Sequence, residues 1–179
     1  MLFVTPPLPI VDHPADANHH GGTRVMRDMF IVLHHTGGTD SLDYLSTTSP
    51  PSNPVSCHRL IAKDGTNYKI VPDYLNAWTQ GGGILGGMIQ WAKDVWKSHK
   101  WNANHNGLSI EIENRGNGKD PYPDEQVRMV AMQIVEWWGL YGFIPILYHG
   151  HIDARKNDPR GFPRDKLDRF IAEYLREVL

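Results

Sequence analysis

The sequence predicts a single α/β domain in which amphipathic helices flank a mixed central β-sheet. Short apolar or alternating runs at residues 29–33, 55–62, 68–71, 108–113 and 143–148 have strand character. Two long stretches after residue 123 carry apolar side chains at helical spacing. Strands interleaved with helices of that kind bury their apolar faces as helices layered on a sheet. With 179 residues the chain can enclose one proper core, and it contains no internal repeat and no second composition regime. Residues 1–28 read as an N-terminal extension or loop and residues 29–179 as the folded domain.

Taken in order, the opening MLFVTPPLPIV is apolar but broken by three prolines and lacks a basic start, which makes it a poor secretory signal. The expectation is a protein cytoplasmic as made, or a domain cut from a longer one. His13, His19 and His20 lie in a polar, Gly-flanked segment and read as solvated loop residues. MFIVL, residues 29–33, is a continuous apolar run, the pattern of a strand buried on both faces, and it ends in His34-His35-Thr36-Gly37-Gly38. Residues 39–45 begin with Thr and Asp and suggest a short capped helix. Residues 46–54 form a loop. Residues 55–62 and 68–71 flank Asp64-Gly65, a hairpin signal.

Residues 81–87 are glycine-rich without the spacing of a phosphate-binding loop. Met88, Trp91, Ala92, Val95 and Trp96 fall at helical spacing, which makes Trp91 and Trp96 core residues first; Trp78 and Trp101 lie outside that stripe and are better placed to bind a ligand. LSIEIE, residues 108–113, alternates strictly and reads as a half-buried strand with Ser109, Glu111 and Glu113 on its polar face. Either carboxylate could be solvated or turned into a cleft. Pro123-Asp124-Glu125 opens one helix and Asp165-Lys166 the next, with Val127, Val130, Ala131, Ile134 and Trp138 along the first and Leu167, Phe170, Ile171, Tyr174, Leu175 and Val178 along the second.

Composition excludes several classes. A net charge of −2 gives no basic field for nucleic acid or an anionic membrane, and no long apolar run could insert into a bilayer. A single cysteine, Cys57, excludes an intrachain disulfide framework, so metal chemistry would have to rest on histidine and carboxylate. Such chemistry has two candidate halves. The apolar run 143–148 stops at His149, and His151, Lys156 and Asp158 follow within ten residues; the buried run 29–33 likewise delivers His34 and His35 to a glycine turn. Adjacent strand residues point to opposite faces, so one of His34 and His35 can share a site with the late loop. Zinc accepts imidazole and carboxylate ligands and, in catalytic sites, keeps a position open beside three of them.

Taken together and in this order, IVLHHTGG, VSCHRLIAKDG, NGLSIEIEN and YHGHIDARKNDPRGF resemble the type 2 N-acetylmuramoyl-L-alanine amidases, a family that includes phage endolysins and animal peptidoglycan recognition proteins. The resemblance spans residues 29–162 and implies a single-domain zinc amidase fold, with residues 29–179 as the catalytic domain. It implies zinc held by His34, His149 and Asp158, with His151 a rival to His149, and catalytic assistance from Glu113 and Lys156. Trp78, Trp101 and His35 are then the expected substrate-binding residues. The sequence departs from the family where Ala-x-His reads Ala77-Trp78-Thr79, and where some phage members carry a tyrosine it has Cys57. The implied reaction is cleavage of the amide between N-acetylmuramic acid and L-alanine in peptidoglycan or muropeptides, by a monomeric phage or prophage lysin that reaches the cell wall after release. A zinc-free recognition module and a cytoplasmic amidase recycling anhydromuropeptides are the rival expectations.

Overall fold

A computed structural model describes residues 8–27, 29–80, 90, 94 and 103–179. The stripe at 88–96, the glycine-rich loop and Trp101 therefore fall outside the described residues, apart from Gln90 and Asp94. The described strands are β1 (Ile10–Asp12), β2 (His20–Thr23), β3 (Phe30–His35), β4 (Arg59–Ile61), β5 (Asn67–Lys69), β6 (Leu75–Ala77), β7 (Gly107–Ile112) and β8 (Ile146–Tyr148). Six of them form one sheet in the order β1-β5-β4-β7-β3-β8, and β2 pairs separately with β6. The β4–β5 hairpin is antiparallel whereas the β4–β7, β7–β3 and β3–β8 pairs are parallel, which makes the sheet mixed as expected. At the hairpin turn Gly65 takes φ +83° and Thr66 N donates to Asp64 Oδ1 at 2.9 Å.

Three α-helices are described: α1 (Ala103–Asn106), α2 (Asp124–Tyr141) and α3 (Arg164–Val178). Asp124 and Glu125 sit in the first turn of α2, where the helix dipole favours negative charge. The helix stops where Gly142 turns to φ +80° and its N–H reaches Trp138 O at 3.0 Å. Helices α2 and α3 pack on one face of the sheet, burying Val127, Val130, Ala131, Ile134, Trp137, Leu167 and Phe170 against Ile31 and Leu33 of β3 and Leu108, Ile110 and Ile112 of β7. Strand alternation sends the residues between these, Val32, His34, Ser109 and Glu111, to the other face. That face carries the chemistry. Ile110 lies fully buried at the centre of the first face. Ile110→Ala is therefore expected to cost about 2–5 kcal/mol, read from urea unfolding.

The structure departs from the sequence reading in four places. Strand β7 is buried along its whole length rather than on one face, because residues of the 56–58 and 78–80 segments close over Ser109. The helix expected at 39–45 lies further on, as a π-helical turn over Tyr44–Thr48. Asp40 there takes φ +58°, incompatible with a continuing helix, and its N–H is held by the Glu113 carboxylate at 2.8 Å. His19, expected in solvent, is buried at 3% exposure. The segment read as an extension also supplies strands β1 and β2, with Arg24 buried beneath it. No described helix is long and apolar enough to cross a membrane.

Candidate metal centre

Parallel pairing of β3 with β8 puts Leu33 beside Tyr148, so His34 and His149 leave neighbouring strands at the same level. A tight turn over His149–His151 then lets the following loop bring Asp158 back. His34 Nδ1 lies 3.1 Å from His149 Nδ1 and 2.9 Å from Asp158 Oδ2, and His149 Nδ1 lies 3.0 Å from the same oxygen. Among the described residues this is the one group of His, Cys, Asp and Glu side chains close enough to hold a metal ion. Two imidazole nitrogens and a carboxylate oxygen form a near-equilateral triangle whose edges are a few tenths of an ångström short of the ~3.3 Å separating ligands around tetrahedral zinc at ~2.0–2.2 Å. Among the described residues neither ring's buried Nε2 has a hydrogen-bond partner, so the rings are oriented by what their Nδ1 atoms face.

The electrostatics suit a cation. Burial pushes His34 down to about 4, against the pull of Asp158, so the ring stays neutral and able to ligate near neutral pH. Burial opposes ionisation of Asp158, but hydrogen bonds from His149 and His34 outweigh it and hold the carboxyl well below its ordinary value. The residues present therefore fit a divalent metal with nitrogen and oxygen ligands.

The two histidines of the late loop point in different directions. His151 is exposed, its Nδ1 accepts from Tyr148 N at 3.1 Å, and its ring stacks on Tyr148, away from the cluster. As alternation requires, His35 leaves on the face opposite His34. Its Nδ1 accepts from Arg160 N at 3.0 Å and its Nε2 fills the space beside Gly116, where a Cβ would come within 2.4 Å. His35 thus braces the loop that carries Asp158.

The two carboxylates of the LSIEIE stretch part company as well. Glu113 follows the end of β7, and its oxygens accept from Asp40 N at 2.8 Å and Lys63 N at 3.1 Å. Those two amides hold its carboxylate just beyond the end of β7. Glu111 is the register partner of His34 and shares its face. Its Oε2 is buried with no hydrogen-bond partner among the described residues. Burial and the nearby Asp158 push this carboxyl up to about 8, with Lys156 opposing. Next to it, burial and Glu111 push the Cys57 thiol well above its usual range, so it is an inert neighbour.

Two clefts open on this face. The larger, about 710 Å³, is lined by His149, Lys156, Arg155 and Asn104 among others; the smaller, about 180 Å³, by Glu111, Thr36 and Tyr44; and both share Val55, Trp78 and Thr79. Trp78 thus stands at the wall between the clefts. The profile of the N-acetylmuramoyl-L-alanine amidases, Amidase_2, matches residues 25–161. The chain belongs to the N-acetylmuramoyl-L-alanine amidase family. No curated protein sequence matches this amidase. Solved structures share its fold: a selenomethionine derivative of AmpD (TM-score 0.72, 19% identity, 91% of this chain and 94% of that one) and the endolysin amidase LysCS from Clostridium intestinale URNW (TM-score 0.62, 14% identity, 90% and 95%). AmpDh3 from Pseudomonas aeruginosa, solved with anhydromuramic pentapeptide, aligns over 80% of this chain and 60% of its own at 22% identity, TM-score 0.59. Sequence reasoning left Glu111 and Glu113 open as alternatives until the family resemblance favoured Glu113, and read Thr79 only as a departure from the family motif.

Proposed function

We propose that this amidase depends on zinc bound by His34, His149 and Asp158, and that it hydrolyses the amide between N-acetylmuramic acid and L-alanine in bacterial peptidoglycan as a phage or prophage endolysin. The observation that carries the reading is the convergence of those three side chains beside a buried glutamate, Glu111, whose Oε2 has no hydrogen-bond partner among the described residues. An amide is a poor electrophile with a poor leaving group, so its hydrolysis needs an activated water, a polarised carbonyl and a proton for the amine. Zinc, when bound, would supply Lewis-acid polarisation and acidify water. Glu111, rather than Glu113, would take the proton from the attacking water and hand it to the departing amine, a task suited to a carboxyl that titrates near neutrality. Lys156, exposed at the rim with its charge felt by both His34 and Glu111, would stabilise the developing oxyanion. Trp78 would offer its face to the sugar or to the peptide methyl groups.

The test is metal analysis of the purified chain followed by product analysis on intact cell walls and on soluble anhydromuropeptides. One zinc per chain is expected, with chelation stopping and zinc restoring the release of new α-amino groups on alanine from intact walls. Cleavage confined to soluble muropeptides would replace the endolysin with a recycling enzyme. A chain without bound zinc whose activity ignores chelators would end the metal reading.

A further inference from the structure

The wall shared by the two clefts contains a hydrogen-bond chain that the mechanism above does not use. Thr79 Oγ1 lies 2.7 Å from Ser56 O and 2.8 Å from Ser109 Oγ, and Ser109 Oγ lies 2.9 Å from His58 Nδ1. Ser56, Ser109 and His58 are buried to within 1% of their surface, while Thr79 is half-buried and lines both clefts. Ser56 is itself fixed, its N–H donating to Trp78 O at 3.2 Å and its Oγ accepting from Trp78 N at 2.9 Å.

Counting protons along this chain decides what Thr79 presents to the cleft. His58 Nε2 lies 3.0 Å from Leu75 O, which can only accept, so Nε2 carries the ring proton. Nδ1 is then an acceptor and receives Ser109 N–H at 3.1 Å. Burial pushes His58 down to about 3, so a second ring proton is absent near neutral pH. Three gaps, from Ser56 O through Thr79 and Ser109 to Nδ1, are left with two hydroxyl protons between them. With the one lone pair of Nδ1 taken by Ser109 N–H, the Ser109 proton goes to Thr79 Oγ1 and that of Thr79 to Ser56 O, so the Thr79 proton is used inward. Turning it to the cleft would leave the buried Ser56 carbonyl facing a bare oxygen at 2.7 Å.

We infer that Thr79 is a substrate-orienting acceptor, its hydroxyl oxygen receiving an amide N–H of the substrate and its own proton held by the protein. This specificity element rests on the amidase reading above. A hydroxyl that only accepts discriminates an amide from an ester at the position it reads, since an ester oxygen brings no proton and places lone pair against lone pair. His58 and Ser109 act through Thr79 as positioning residues.

The experiment compares wild type, Thr79→Val and Thr79→Ser on a muramoyl peptide and on two analogues, one with an ester oxygen replacing the scissile N–H and one replacing the next peptide N–H. On the all-amide substrate Thr79→Val is expected to lower kcat/KM between about threefold and tenfold, the scale of one neutral hydrogen bond, and Thr79→Ser to restore it. On one of the two esters the difference between wild type and Thr79→Val should vanish. A Thr79→Val loss of equal size on all three substrates, or no loss on the amide, overturns the assignment, with thermal melting of each variant separating lost folding from lost contact. Wild type unable to cleave the all-amide substrate would instead remove the amidase reading, and Thr79's role with it.

Discussion

Asp158→Ala, His34→Ala and His149→Ala are each expected to lose tightly bound zinc and to fall to background activity, while His151→Ala keeps the metal and most of the rate. Each of the three supplies one atom to a triangle with edges of 2.9, 3.0 and 3.1 Å, and among the described residues no fourth His, Cys, Asp or Glu joins the group to take over a lost corner. Loss of Asp158 has a further consequence, because it is the one negative group between two imidazoles and removing it leaves two nitrogens facing each other at 3.1 Å. His35→Ala is expected to retain zinc with weaker affinity, since the Arg160 N–H it holds steadies the Asp158 loop. Metal content of each purified variant and zinc competition with a chelator read these outcomes. Should His151→Ala strip the metal while His149→Ala retains it, the late ligand is misassigned.

Glu111→Gln is expected to lower kcat by ~10²- to 10⁴-fold at unchanged zinc content, the range lost with a general acid/base. Glu113→Gln, two residues along the same face, should leave the rate nearly intact and cost about 1 kcal/mol of stability, because the Asp40 and Lys63 amides lose a charged acceptor. Stability supplies an independent sign. The folded Glu111 carboxyl is raised from 4.5 to about 8, so between those values the folded protein binds its proton more tightly than the unfolded chain does. Measured against Glu111→Gln, in which the depressed His34 and His58 contribute equally, the unfolding free energy of the metal-free protein should then fall as pH rises through that window. Urea unfolding of both proteins at pH 5 and pH 8 measures it. A rate loss for Glu113→Gln as large as that for Glu111→Gln would return the base to the end of the strand.

Much of this molecule could be read before any coordinates. Apolar periodicity placed β3, β7, α2 and α3, because burial of those faces dominates their folding and leaves its period in the sequence. The idea that two buried strands each deliver a histidine to a common end needed only strand alternation and parallel pairing, and His34 and His149 do meet that way. Residue chemistry and order along the chain were also enough to relate it to the amidases.

What the sequence by itself determined was therefore the layered α/β fold, the family, and the three side chains that could serve a metal. Tertiary structure alone decided which neighbours reach them. Glu111 and Glu113 have the same parity and the same chemistry, so no period separates them; the separation comes from β7 ending at Ile112 and from the backbone amides of Asp40 and Lys63, distant in sequence, capturing Glu113. His149 and His151 differ by one tight turn whose direction is set by Tyr148, and the Thr79–Ser109–His58 chain joins residues from three separate segments. Hydrogen bonds of that kind are directional and need both partners in place, whereas hydrophobic burial is non-directional and roughly proportional to area. A burial pattern is written along one segment, and a hydrogen bond between segments exists only once the chain has folded.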